Sequence, residues 1–449
     1  MLSFLALLFS IYLGYLLITS TPFADQKTEP INIFLATGFG LGVSSHLVLY
    51  NILLFDQLNP LAIILSHLKI LLLFIVLRNR FGHHLPKNPS PIRNNDLPIF
   101  FLISTPFLIL LIINALSSPY GDWDAWGFWN VRANFIFRAG PFWNDVLPTE
   151  INHHPWLLPL TIVWGWSFAG REDNLIPLLI PIIYTVSTVG LLVFGLSDYI
   201  EKKFALLAGI FLLSIPFFMY HSTSQYAEIE VCYYLLGACI CLFRTLKYES
   251  IKYSFFCGAF LGLLSFTKIE GILEMILLTF LIYIYFLINQ KKSFLFLILF
   301  LGMAIFSLPT IIVKCFVSPN LNHGLGLNWS LIGDFQRTAL IITSFLQHVF
   351  WVDAWGGLWI IGTIMLFMKR HSLVQKEIII ITIFIFLFMF ALFLRFQITP
   401  LYLEWHLSTV LYRALFQITP LLIFLIFYSV FEDRNLSTNR KNPQPHETN

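Results

Sequence analysis

Charge is scarce in this chain. Only 11% of its 449 residues are Asp, Glu, Lys or Arg, too few to clothe the two or three soluble domains that such a length would otherwise suggest. The formal net charge is only +3 and the basic residues cluster in particular loops rather than along a groove, which excludes a nucleic-acid partner from the expected ones. Cysteine is scarce too. Cys232, Cys239, Cys241, Cys257 and Cys315 stand in apolar stretches without Cys-x-x-Cys spacing, so neither a disulfide scaffold nor a cysteine zinc site is indicated, and they read as packing residues. Long stretches of alternating apolar and polar residues, the mark of membrane barrel strands, are missing. So is an internal repeat of the kind that transporters often carry in two matching halves.

What fills the chain is apolar. Hydrophobic residues make up 57% and aromatic ones 17%, with 47 Phe and a mean hydropathy of +0.78. Runs about as long as a bilayer core is thick occupy residues 2–20, 31–55, 60–77, 97–116, 175–196, 204–220 and 229–243, then 254–266, 271–288, 294–316, 345–368, 378–394 and 410–431. They predict an all-α fold, a polytopic transmembrane helical bundle of about thirteen spans. The first run lacks a basic leader segment and reads as an uncleaved helix.

Orientation follows from the loops. Basic segments at 78–93, 202–203, 244–252, 291–292, 369–376 and the tail are separated by even numbers of runs, so one side collects most of the Lys and Arg and is assigned to the cytoplasm. The opposite side then receives residues 117–173, 221–228, the turn at Lys268, 318–344 and 395–408. Three parts are expected: N-terminal spans with a basic cytoplasmic loop over 1–96, a membrane catalytic region over 97–431 with an exterior loop at 117–173, and a polar, disordered cytoplasmic tail over 432–449.

The exterior loop holds the densest chemistry. Asp122-Trp123-Asp124-Ala125-Trp126-Gly127-Phe128-Trp129-Asn130 sets two carboxylates among rings just beyond the fourth run. An interfacial aromatic belt with solvated acids is the plain reading. Two acids two residues apart exceed what anchoring needs, and either suits a general base that takes a proton from an incoming hydroxyl. Trp126, Trp129, Ala133, Ile136 and Phe137 recur at spacings of three and four, predicting a helix that lies in the membrane interface, with Arg132 and Arg138 at headgroup depth, where Arg132 could meet lipid phosphate or simply anchor. His153 and His154 follow; adjacent histidines point apart and make a poor metal pair unless Asp122, Asp124 or Glu228 joins them, so a divalent metal stays open as a cofactor and a hydrogen-bonding role is the alternative. Residues 155–169, apolar but short and carrying two prolines, read as a second interfacial helix.

An aspartate directly after a membrane helix, two juxtamembrane helices and a His/Pro-rich element together resemble the polytopic glycosyltransferases of GT-C fold, including the protein O-mannosyltransferase and lipid A aminoarabinose transferase relatives. Gln225-Tyr226-Ala227-Glu228-Ile229-Glu230 resembles the Tyr-Ala-Asp element of the second exterior loop, with Glu in place of the commoner Asp. Phe266-Thr267-Lys268-Ile269-Glu270-Gly271 resembles the Thr-Lys-x-x-Gly turn between two later spans, and Trp405-His406-Leu407-Ser408 with Arg413, Gln417 and Pro420 resembles a carboxy-terminal element of bacterial members. The resemblance runs from about residue 97 to 428. It implies a transferase that takes a sugar from a polyprenyl-phosphate donor and passes it to a lipid, glycan or protein acceptor at the exterior face of the inner membrane.

On this reading Asp122 or Asp124 is the catalytic base. Arg132, His153, His154, Tyr226, Glu228, Lys268, Glu270, His406 and Arg413 are substrate-binding candidates, with Lys268, Arg132 and Arg413 as cations for the leaving phosphate. A salt bridge to Glu270 is the plain alternative for Lys268, and snorkelling to the interface for Arg413. Asp353, in Phe350-Trp351-Val352-Asp353-Ala354-Trp355-Gly356, repeats the acid among rings without matching a family element. The rival readings are a transporter or flippase of lipid-linked sugars and a protein with a purely structural role. A transporter is expected to carry ionisable groups midway through its spans, where only Lys69 and Lys314 are candidates. The topology predicts that Asn144→Cys, in a cysteine-free background, reacts with a membrane-impermeant thiol reagent added from outside; reaction only from the cytoplasmic side would reverse the assignment.

Overall fold

The computed structural model describes residues 2–19, 30–81, 96–143, 154–289, 293–317, 326–374 and 377–432. Among them no strand forms; one isolated bridge joins Ile200 to Glu432. The tail expected to be disordered lies outside the described residues from position 433 onward.

Four helices come first: α1 (Leu2–Thr19), α2 (Ile31–Phe55), α3 (Pro60–Phe81) and α4 (Asp96–Ser117). A π-helical turn (Ala125–Trp129) leads into α5 (Asn130–Arg138), then α6 (Leu157–Ala169), α7 (Leu175–Leu196), α8 (Lys202–Leu213) and α9 (Pro216–His221). The middle of the chain is α10 (Glu228–Tyr248), α11 (Ile251–Thr267), α12 (Ile269–Ile288) and α13 (Ser293–Ile312). After these come α14 (Phe335–Val349), α15 (Val352–Trp355), α16 (Leu358–Met368), α17 (Ile378–Ile398), α18 (Leu403–His406), α19 (Tyr412–Gln417) and α20 (Thr419–Phe431).

Among the described residues nine helices are long and apolar enough to cross a membrane, and residues 403–431 supply a tenth as a pair bent by 43° where Pro420 opens α20. Pro fits the first turn of a helix, where its missing N–H costs nothing. Against those ten, the thirteen expected spans are too many: the runs at 204–220, 254–266 and 345–368 give no helix of that length, the second forming α11 of only 17 residues, and a fourth run changes the other way. The run at 204–220 breaks into α8 and α9, with Ile215 extended before Pro216. The run at 345–368 is three helices, because Gly356 and Gly357 both take positive φ and end α15. The run at 229–243 is the reverse case: it extends to a 21-residue helix whose ends are hidden in the sequence by Glu228, Glu230, Arg244 and Lys247.

That helix, α10, is the centre of the molecule. It is buried throughout its hydrophobic length and packs against α2, α7, α11, α19 and α20. In a bilayer, apolar side chains gain nothing by leaving lipid for protein, so helices are held by close packing and buried hydrogen bonds. Tyr233 and Tyr234 of α10 supply such bonds. The Tyr233 hydroxyl donates to the Phe34 carbonyl at 2.6 Å and accepts from the Gly38 N–H at 2.9 Å, while Tyr234 donates to the Gly38 carbonyl at 3.0 Å. The N-terminal helix α2 is thereby fastened into the core. Small residues set the closest approaches: a side chain at Gly40 would run into the Ser10 carbonyl of α1, and one at Gly258 into the Leu299 carbonyl of α13.

Of the two helices expected in the membrane interface, the second is corrected by burial and the first in the face it presents. Helix α6 is enclosed on all sides from Leu157 to Ser167, wedged against α1, α2 and α5, so it is a core helix rather than one lying among headgroups. The indole of Trp164 donates to the Ser10 hydroxyl of α1 at 2.9 Å and stacks on His67 of α3 at 3.6 Å. Across the π-helical turn and α5 the buried face is Trp129, Arg132, Ala133 and Ile136, while Trp126 is exposed. The π-helical turn inserts an extra residue per turn and rotates Trp126 off the face that the 3.6-residue period assigns to it.

Gly258→Val is expected to destabilise strongly. Overpacking of a tight core typically costs about 1–3 kcal/mol, and here the new side chain meets backbone that cannot swing away. Thermal unfolding in detergent checks this against Leu102→Ala, a substitution on the exposed face of α4 that should change the midpoint little.

Candidate functional site

The site forms at the end of the bundle where α10 begins. The first turn of a helix presents unpaired N–H groups and positive dipole, which favours acids, and α10 places Glu228 and Glu230 there. Glu228 is completely buried, and a buried carboxylate needs compensating cations. It has two. Lys268 Nζ lies 2.9 Å from Glu228 Oε1, and the Arg413 Nε donates to the same oxygen. Arg413 Nη1 also reaches Asp124 Oδ2 at 2.6 Å, and Lys268 Nζ stands 3.6 Å from Glu270 Oε1. The result is an alternating chain, Asp124, Arg413, Glu228, Lys268, Glu270, drawn from the loop after α4 and from α19, α10, the α11–α12 junction and α12.

Local structure explains each position. Lys268 is a single extended residue between α11 and α12, and Gly271 lets α12 turn back hard on α11, since a side chain there would strike the Leu264 carbonyl. Arg413 is the second residue of α19, which follows directly on a π-helical turn at Leu407–Leu411, and its guanidinium lies over the Tyr226 ring at 4.8 Å. The Tyr226 hydroxyl accepts the Asp124 backbone N–H at 3.1 Å, and burial raises its pKa well above the usual phenol value, so it stays neutral.

Asp122 sits beside this chain but outside it. Gly121 takes φ +72°, a region where glycine has no penalty, and a side chain on it would collide with the Ser224 carbonyl and Ala125. That turn lets the Asp122 N–H donate to the Ser224 carbonyl at 3.1 Å, docking the loop after α4 onto the loop before α10. Gln225, at φ +60°, is held in an unfavourable conformation by two bonds: its amide donates to the Pro119 carbonyl at 3.0 Å and accepts from Asn130 at 2.8 Å. The Asp122 carboxylate is exposed, accepts the Trp123 N–H at 2.6 Å and the Tyr220 hydroxyl, and pairs with no described cation. It lines a cavity of about 470 Å³ whose walls pass from apolar Phe107, Leu110 and Leu213 to polar Thr223 and Ser224.

Of the residues that the sequence nominated, Asp124, Tyr226, Glu228, Lys268, Glu270 and Arg413 meet directly, with Asp122 adjacent. His406 is set apart against the Phe396 ring, although it and Arg395 lie within electrostatic reach of Glu270. Arg132 stands apart from this group. It is fully buried within the protein, its Nη1 donating to the His154 and Pro155 carbonyls at 3.0 and 3.2 Å and its guanidinium lying 4.7 Å from the Phe128 ring centre. Burial draws its pKa down to about 9. It braces the chain leading into α6. His154 packs against Phe128 and Trp129, and His153 lies outside the described residues. Arg138 pairs with Glu172 at the surface. Among the described residues no three His, Cys, Asp or Glu side chains converge as a metal site.

Tyr220 was not legible in the sequence as a site residue. It stands at the end of an apolar run, and only the break at Pro216 turns its hydroxyl toward Asp122.

Fold and site together define a polytopic helical membrane protein with a buried ionic chain at one end of its central helix and an accessible carboxylate over an amphiphilic cavity. Residues 153–312 match the family model described as dolichyl-phosphate-mannose-protein mannosyltransferase, a GT-C fold family. The match spans α6 to α13 and so includes Glu228, Lys268 and Glu270 but neither Asp122 and Asp124 nor Arg413. It supports a membrane glycosyltransferase with a lipid-linked donor. No curated protein and no solved structure matches the chain.

Glu228→Gln is expected to cost more stability than any other single change in the chain of charges, because it leaves two buried cations facing each other. Breaking a buried pair typically costs about 3–5 kcal/mol. Thermal unfolding should show a larger loss for Glu228→Gln than for Glu270→Gln, whose carboxylate is the more exposed and the more distant from Lys268.

Proposed function

We propose that the protein transfers a sugar from a polyprenyl-phosphate donor to an acceptor hydroxyl at the exterior face of the membrane, with Asp122 as the general base. The observation that carries this reading is the contrast between the two aspartates: Asp124 is committed to Arg413, whereas Asp122 is exposed over a cavity and free of any cation among the described residues. A base must be reachable by the acceptor and must not already be neutralised.

The cavity suits an amphiphilic donor. Its apolar wall belongs to α4 and α8, and α4 is mostly exposed along its length, so a polyprenyl chain can lie against that helix while the sugar phosphate approaches Asp122. In the reaction the acceptor oxygen bonds to the anomeric carbon, the bond from that carbon to the phosphate oxygen breaks, the acceptor proton passes to Asp122, and polyprenyl phosphate leaves. Tyr220 orients the carboxylate. Arg413, the less buried of the two cations in the ionic chain, is the group available to the departing phosphate.

The placement of other charges favours transfer over transport. Lys69, midway along α3, is exposed on the outer surface of the bundle rather than lining a path through it, and Lys314 lies in the π-helical turn at the end of α13. Loss of a positioned base costs about a hundredfold to ten-thousandfold in rate, so Asp122→Asn should remove most transfer from a radiolabelled polyprenyl-phosphate sugar in liposomes while leaving folding intact. Asp124→Asn should lose less, through a misplaced Arg413. Near wild-type turnover by Asp122→Asn would end the assignment of that residue as base.

A further inference from the structure

A second cavity, of about 420 Å³, adjoins the first at Pro216 and Tyr220. Tyr220 is common to both, and its hydroxyl donates to Asp122. The second cavity differs in character: it is walled by Phe217, Trp351 and Tyr412, with the Asp353 carboxylate and the Ser408 hydroxyl at its rim.

The rings are built in, not scattered. Phe217 is their hub, stacked on buried Trp355 at 5.1 Å and 26°, tilted against Tyr412 at 5.1 Å, and edge-on to Trp351 at 5.6 Å. Trp355 anchors the four-residue helix α15, and the paired left-handed glycines behind it, Gly356 and Gly357, turn the chain away into α16. Trp351 and Asp353 are thereby left exposed at the cavity. Among the described residues neither the Asp353 carboxylate nor the Tyr412 hydroxyl has a hydrogen-bond or ion-pair partner in the protein. A membrane-anchoring ring needs no carboxylate beside it, and although Asp353 stands in the first turn of α15, where an acid suits the helix dipole, its carboxylate is spent on no bond within the described protein.

We propose that this second cavity is the acceptor subsite and that it takes a carbohydrate. A pyranose has one face of C–H groups, which packs on ring faces, and a rim of hydroxyls, for which a carboxylate is a strong acceptor; ring walls with a few placed polar groups are what such a ligand requires. A sugar lying against Trp351 and Tyr412, with one hydroxyl bonded to Asp353, can direct another past Tyr220 toward Asp122. The inference rests on the transferase reading, since it treats the first cavity as the donor side.

The test uses the full chain in nanodiscs with radiolabelled polyprenyl-phosphate donor and mannose-, glucose- and N-acetylglucosamine-terminated trisaccharides as acceptor probes, beside a Ser/Thr peptide and a lipid acceptor. At least one trisaccharide should accept the label. Trp351→Ala and Asp353→Asn should each raise its KM by about tenfold or more with a smaller change in kcat, and Tyr412→Phe should do so more weakly. Trp351 and Asp353 are exposed, so these variants should fold. Saturation-transfer NMR on the same trisaccharide should show contact in wild type and its loss in Trp351→Ala. Donor consumption that depends on Asp122 but is passed only to the peptide or the lipid would overturn the carbohydrate subsite and leave the transferase standing. An unchanged KM in both variants would do the same. A wild-type chain that consumes no donor would instead remove the transferase reading itself.

Discussion

Everything at the working end of this molecule depends on one carboxylate that cannot reach water. Glu228 heads the most buried helix of the bundle, and the energy of an isolated anion there would be prohibitive. Lys268 and Arg413 meet on one of its oxygens, and because these cations come from distant parts of the chain, neutralising Glu228 also fixes where α10, α12 and α19 stand relative to one another. Arg413 then extends the constraint to Asp124 and hence to the loop after α4. A buried salt bridge is weak evidence of net stability, but it is an effective register pin, since any slip of one helix leaves a charge unpaired.

The same ionic chain divides labour between two neighbouring aspartates that look interchangeable in sequence. Asp124 closes the chain and holds the loop in place. Asp122, one residue past the Gly121 turn, is turned outward over open space. Rigid support next to an accessible group is what the base proposed here would require, because the support removes the cost of orienting it during the reaction. Tyr220 stands on the boundary between the two cavities and ties that boundary to Asp122.

Packing around α10 follows membrane rules rather than aqueous ones. Gly14, Gly40, Gly258 and Gly302 let backbones touch, and tyrosine hydroxyls spend their bonds on carbonyls of neighbouring helices. The exposed surface, by contrast, is rich in Phe, Leu and Ile on α3, α4, α13 and α17. Such an apolar exterior would aggregate in water and is the expected face toward lipid.

The amino-acid sequence by itself determined the class: scarce charge and recurrent bilayer-length apolar runs leave a helical membrane bundle as the only way to satisfy the backbone. It also marked Asp122, Asp124, Glu228, Lys268 and Arg413, because ionisable residues are rare enough in such a chain to stand out. What it could not reveal is which side chains share a space. The 3.6-residue period gave α5 a face that the π-helical turn then rotated, hydropathy could not tell the core helix α6 from an interfacial one, and end charges hid the length of α10. Arg132 read as a cation at headgroup depth, and its burial escaped notice because its partners are backbone carbonyls, which carry no sequence signature. The pairing of Glu228 with Lys268 and Arg413, and the release of Asp122 from any such pair among the described residues, were decided only by tertiary structure, since electrostatic compensation acts through space between helices that the sequence orders but does not juxtapose.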